Sequence, residues 1–113
     1  MKAIEFVILG ARPDNADTLR DYASRRLSFA LRRFEHAIRR VTVRVVDLNG
    51  PKHGPDSRCS MIADLEGGRR IFVDATTAWP FASITRAARR LGDALRREFG
   101  RAAAHRPRRA RRS

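Results

Sequence analysis

Residues 57–76, SRCSMIADLEGGRRIFVDAT, hold two alternating runs on either side of a glycine pair. In the first run Cys59, Met61, Ala63 and Leu65 face one way and Arg58, Ser60, Ile62 and Asp64 the other, the period of a strand with one buried side. Gly67 and Gly68 can adopt positive φ at both positions of a tight hairpin. The run RRIFVDAT (69–76) is therefore expected to return antiparallel to the first.

Downstream, Ala78-Trp79-Pro80 closes the second run, and Pro80 suits the first turn of a helix, where its missing N–H costs nothing. Phe81, Ile84, Ala88, Leu91, Leu95 and Phe99 then recur every three or four residues, while Arg86, Arg89, Arg90, Arg96 and Arg97 fall mostly on the opposite side. Gly92 inside this helix costs about 1 kcal/mol relative to Ala, so either close packing against the sheet or local fraying is expected there. Beyond Gly100, residues 101–113 carry six Arg, no acid and no large apolar side chain, and a disordered basic tail is the expected state. The reading is one domain over 1–99 and a tail over 100–113.

Upstream of the hairpin, NGPKHGPD (49–56) has two Gly and two Pro and reads as a loop. Before it, VTVRVVDL (41–48) is dense in β-branched residues and alternates Val41, Val43 and Val45 with Thr42, Arg44 and Val46. From about Asp17 to Phe34 the positions Leu19, Tyr22, Ala23, Leu27, Ala30, Leu31 and Phe34 keep helical spacing, with Arg20, Arg25, Arg32 and Arg33 on the wet side. Asp14, Asn15 and Asp17 offer caps for this helix. KAIEFVIL (2–9) alternates with apolar residues on both faces, which suggests an internal strand.

The order is thus β-α-β-β-β-α. A strand-helix-strand unit forces a parallel pair with a right-handed crossover, and the remaining strands can form an antiparallel meander. The fold class is α+β in two layers, a four-stranded mixed sheet with two helices packed on one face. At 113 residues the chain is long enough for one such core and too short for a second substrate domain.

The charge balance points to the partner. Lys and Arg number 25 against 12 Asp and Glu, a formal net charge of +13, and only Lys2 and Lys52 among the bases are Lys. Arginine's planar fork matches phosphate oxygens, and a positive field of this size speeds encounter with polyanions. Biased base composition explains the choice of Arg over Lys but not the excess of base over acid. Nucleic acid or a ribonucleoprotein is the expected partner class. An anionic membrane surface fits less well, because both helices use one face for a core, and no window approaches eighteen apolar residues.

Chemistry is harder to find. The single Cys59 excludes an intramolecular disulfide, no Cys/His cluster supplies a zinc site, and the cytosol is the expected compartment. The N-terminus lacks the long apolar region and cleavage site of a signal peptide. His36, His53 and His105 lie near loops or the tail, no Ser sits in a nucleophile elbow, and neither a dinucleotide fingerprint nor a phosphate-binding P-loop occurs. Cys59 falls on the apolar face of its strand, where an inert thiol is expected. Neither enzyme activity, cofactor nor small-molecule substrate is expected. Lys52 and His53 stand in the Gly-Pro loop, within reach of phosphate. Tyr22, Trp79 and Phe81 read as packing or hinge residues rather than base-stacking ones. The five Arg of the second helix are the leading binding residues, because a helix repeats them along one surface, and the tail would add affinity that falls steeply with salt.

Four segments carry a family likeness: DTLRDYASRRL (17–27), VTVRVVDLNGPKHGPDSRC (41–59), the hairpin at Gly67-Gly68, and FASITRAARRLGDALRR (81–97). From about residue 3 to 99 the chain resembles the ribosome hibernation-promoting factor and ribosome-associated inhibitor family in its short form, also described as ribosomal subunit interface or sigma-54 modulation proteins. The resemblance implies a domain that binds the small ribosomal subunit in the channel for messenger and transfer RNA. There it would block translation during stress or stationary phase, by steric occupation and without turnover. It implies rRNA-binding roles for Arg86, Arg89, Arg90, Arg96 and Arg97, with Lys52, Arg25 and Arg33 as weaker members. Thr85 stands where the family usually has an acidic residue, and Trp79-Pro80 replaces its common acidic approach to the last helix. The long members' extra C-terminal dimerisation domain has no counterpart, so ribosome dimerisation by this chain alone is not expected. Two other classes fit the same sequence, a general double-stranded nucleic-acid binder and a protein-binding adaptor whose basic surface is incidental. An exposed edge strand leaves homodimer pairing open.

Overall fold

A computed structural model describes residues 3–9, 13–47 and 56–105, with side chains placed over 4–7, 16–46 and 56–100. The elements run β1 (Ala3–Leu9), α1 (Pro13–Leu31), a 3-10 segment (Arg32–Ala37), β2 (Ile38–Asp47), β3 (Ser57–Leu65), β4 (Arg70–Thr77) and α2 (Pro80–His105). The fold is the expected two-layer α+β arrangement, with strand order β1-β2-β3-β4 and both helices on one face. β1 is parallel to β2, with Phe6 beside Val43, and the other pairs are antiparallel.

Alternation decides which side of each strand is buried. Val41, Val43 and Val45 of β2, Cys59, Met61, Ala63 and Leu65 of β3, and Ala75 of β4 point into the core. Leu19, Ala23, Leu27 and Leu31 of α1 cover them together with Ile84, Ala87, Ala88, Leu91 and Leu95 of α2. Each fully buried Leu or Ile contributes about 1.5–3 kcal/mol relative to exposure. The charged residues of the helices are left on the outside.

The glycine pair behaves largely as the sequence suggests, with φ of 92° at Gly67 and 95° at Gly68. The connection is wider than a two-residue turn. Leu65 N–H donates to the Arg69 carbonyl and Gly68 N–H to the Leu65 carbonyl, so Leu65 and Arg69 close the hairpin. Glu66 N–H donates to the Ala37 carbonyl instead, tying the hairpin to the end of the 3-10 segment. A register shift between Ile38 and Arg40 places a bulge at Arg39 and leaves both Arg39 and Arg40 exposed.

Several sequence expectations are corrected. β1 is an edge strand rather than an internal one, and its Val7 is exposed. Its second apolar face lies on the open side of the sheet, where Val46, Ile62 and Phe72 also sit, so apolar residues on both faces do not signify two neighbours. α1 starts earlier than expected, at Pro13, whose fixed φ suits a first helical position. It also ends earlier, at Leu31, and Phe34 meets the core from the 3-10 segment by stacking on Phe99, ring centroids 5.5 Å apart. Gly92 neither frays α2 nor faces the sheet. It faces α1, where an added Cβ would sit 3.5 Å from the Ala30 carbonyl oxygen. α2 runs past Gly100 to His105, through the Ala102–Ala104 run of strong helix formers. The expected tail beyond residue 105 and the loop at 48–55, with Lys52 and His53, lie outside the described residues.

Cys59 is fully enclosed in this core, and burial pushes its thiol up to about 12. The folded state then holds the proton while the unfolded chain releases it from about pH 8.5, so this group's contribution to stability declines as pH rises from there towards 12. At pH 8 the native chain should be inert to iodoacetamide over hours, and the urea-unfolded chain should alkylate within minutes, as read by mass spectrometry. Equal rates would contradict the burial.

Candidate nucleic-acid interface

Helical geometry gathers the α2 arginines. At 100° per residue, Arg86, Arg89, Arg90, Arg96 and Arg97 fall within an arc of about 120°, and 86 to 97 spans about 16 Å along the axis. The arc lies opposite Ile84, Leu91 and Leu95, and all five Arg are exposed. Only Asp93 interrupts it, paired with Arg96.

The arc divides into two flanks. Arg86 and Arg89 lean towards α1 and share a groove with Tyr22, Phe81, Ala82 and Thr85. No described carboxylate pairs with either. Arg90 and Arg97 lean towards the β4 edge, where they line a groove with Val73, Asp74 and Asp93. Arg90 donates from Nη1 to the Asp74 carbonyl at 2.6 Å, so it also ties α2 to the sheet. Below Arg97 the helix is pinned again by the Arg69–Glu98 pair.

The weaker candidates do not join this row. Arg25 lines a separate groove on the outside of α1 with Ser24, Ser28, Phe29, Arg32 and Glu35. Arg33 is exposed in the 3-10 segment. Arg20 is engaged locally, 3.2 Å from Asp17 and over the Phe6 ring at 5.7 Å.

The open face of the sheet is also rich in arginine, and three of its arginines are paired with acid, whereas Arg44 has no described carboxylate partner. Arg58 meets Asp74 at 2.7 Å, Arg70 meets Asp64 at 2.6 Å, and Arg40 lies 3.6 Å from Glu5. These pairs follow from register, since Asp64 stands opposite Arg70 and Ser60 opposite Asp74. A polyanion would compete with these carboxylates on the sheet, whereas no described carboxylate compensates Arg86 or Arg89. The described residues hold no His/Cys/Asp/Glu cluster fit for a metal ion, and no described helix is long and apolar enough to cross a membrane.

The sequence missed two features. Trp79 is 61% exposed and Phe81 38% exposed, so of the expected packing or hinge roles a place in the core is excluded for both. Phe81 packs edge-on against Tyr22, ring centroids 5.1 Å apart, and the Tyr22 and Thr85 hydroxyls are hydrogen-bonded. The position that is acidic in the resembled family is therefore a neutral anchor between the helices. Short-range periodicity carries no signal for this, because Tyr22 and Thr85 are 63 residues apart.

No family model and no curated protein matches the chain. Solved structures do. The crystal structure of the Thermus thermophilus Protein Y N-terminal domain superposes with a TM-score of 0.67 at 25% identity, over 86% of this chain and 98% of that one. A ribosomal subunit interface protein from Coxiella burnetii gives a TM-score of 0.70 at 13% identity, over 87% of this chain and 98% of its own, and shows the fold alone. The chain thus has the fold of the Protein Y N-terminal domain and of this ribosomal subunit interface protein.

The division of labour on α2 has a measurable consequence. Arg86→Glu with Arg89→Glu should leave urea stability within about 0.5 kcal/mol of the parent, as for surface positions without partners. Arg90→Ala should cost more, about 0.5–1.5 kcal/mol for its bond to the Asp74 carbonyl. A larger loss in the double variant than in Arg90→Ala would invert the assignment.

Proposed function

We propose that this chain is a ribosome-associated factor that binds small-subunit rRNA in the channel for messenger and transfer RNA and inhibits translation during stress or stationary phase. One observation carries the reading: a row of arginines on the outer face of α2, uncompensated at Arg86 and Arg89, on a chain with the Protein Y fold. Phosphate contacts from such a row position a protein on folded RNA without reading its bases. Occupation of the channel then excludes other RNAs sterically, which needs no catalytic group and no cofactor.

Arg86, Arg89, Arg96 and Arg97 are the primary contacts. Arg90 contributes while tethering the helix. Arg25 and Arg33 are secondary contacts away from the row, Lys52 is a further candidate, and a basic tail adds salt-sensitive affinity.

Sedimentation with purified subunits at near-physiological salt tests this. Wild-type chain should co-migrate with the small subunit at near-stoichiometric, saturable levels and be displaced by messenger or transfer RNA. Reversal of Arg86, Arg89, Arg96 and Arg97 to Glu should abolish co-migration, and the log-log salt dependence should flatten by about one for each phosphate no longer neutralised. Retained subunit affinity in the reversed variant would refute the assignment of α2. Equal affinity for any duplex would replace the ribosomal reading with general double-stranded nucleic-acid binding.

A further inference from the structure

We propose that Trp79 and Phe81 form a stacking platform for an unpaired RNA base whose flanking phosphates are held by Arg86 and Arg89. The proposal rests on the RNA-binding reading above and adds to it a preference for single-stranded segments.

Four observations converge on this end of α2. Trp79 projects an indole that is 61% exposed, the largest apolar surface a single residue can offer, from a backbone that is held in place. The Thr77 hydroxyl donates to the Trp79 carbonyl at 2.6 Å and accepts from the Trp79 N–H at 3.3 Å, and Ser83 N–H donates to the same carbonyl at 3.0 Å. Pro80 fixes the next φ. The ring is thus displayed from a rigid support, which lowers the ordering cost of binding.

Phe81 lies two residues on, its Cα within about 7 Å of that of Trp79 by chain length alone. It lines a groove together with Tyr22, Ala82, Thr85, Arg86 and Arg89. Tyr22 packs against Phe81 in a T-shaped contact that fixes the ring beside the groove, and Phe81 stays 38% exposed. Aromatic faces beside guanidinium groups are the combination that holds single strands, since every base has a π-face and every linkage a phosphate. A duplex hides its base faces in its own stack, so only unpaired bases can use the platform.

The other exposed aromatics lack this pairing. Phe72 stands on the sheet face where the neighbouring arginines are matched with Asp64 and Asp74. Phe29 shares its groove with Glu35 and lies against Arg32, 5.8 Å from the ring centroid. Charge complementarity to an anionic strand singles out the Trp79 end.

Because the chain has one Trp, its intrinsic emission reports this site alone. Full-length chain titrated with a short single-stranded RNA should lose emission by stacking, while the same sequence as a duplex should leave it unchanged at equal occupancy. Trp79→Leu should weaken single-strand binding about 5- to 150-fold, the equivalent of about 1–3 kcal/mol of stacking, and leave duplex binding within about twofold. Arg86→Glu with Arg89→Glu should weaken both. Unchanged emission on saturation with single strand, or single-strand affinity within about twofold in Trp79→Leu, overturns the platform, even where the arginine variant loses binding and upholds the α2 row. If the arginine reversal leaves all binding intact, the α2 row and the phosphate contacts of this proposal both fall, and quenching with selective loss in Trp79→Leu then decides the stacking alone.

Discussion

Burial of one stripe of α2 against β3 and β4 is the constraint on which the rest depends. Ile84, Ala87, Ala88, Leu91 and Leu95 have nowhere else to leave water, and the sheet meets them with Cys59, Met61, Ala63 and Ala75. Once that stripe is inside, the 3.6-residue period places Arg86, Arg89, Arg90, Arg96 and Arg97 outside. The arginine row is therefore a by-product of the core in geometry, although not in charge. Gly92 lets α1 come close along the same helix, and the Tyr22–Thr85 and Phe34–Phe99 contacts fix α1 near both ends of the stripe.

Charge balance, rather than charge count, then separates the two exposed faces. The sheet pairs Arg40, Arg58 and Arg70 across strands with Glu5, Asp74 and Asp64, which supports strand register and offsets most of the charge on that face. The helical layer concentrates the excess. Within it, Arg90 holds a β4 carbonyl through its guanidinium while remaining exposed, so in the proposed site it would serve the fold as well. Substitution of such a dual residue moves the helix as well as the charge.

Local pattern made most of this legible. Alternation and the glycine pair disclosed β3, β4 and the hairpin, and the apolar repeat from Ile84 to Leu95 disclosed both faces of α2. What stayed hidden depends on contacts distant in sequence. The edge position of β1 follows from strand order, which alternation does not encode when the open face also carries Val46, Ile62 and Phe72. The early end of α1 follows from Phe34 finding Phe99, and the exposure of Trp79 from the way Thr77 turns the chain into α2. An aromatic before a helix start reads as packing until the fold shows that nothing covers it.

The central claim is that the outer face of α2, and not the open sheet, meets RNA. Arginine footprinting with phenylglyoxal tests it most directly, comparing free chain with chain bound to the small ribosomal subunit and reading modification residue by residue. Arg86, Arg89 and Arg97 should become protected on binding, while Arg44, Arg58 and Arg70 on the sheet keep their free-state reactivity. Protection of the sheet arginines with α2 left reactive would contradict the account.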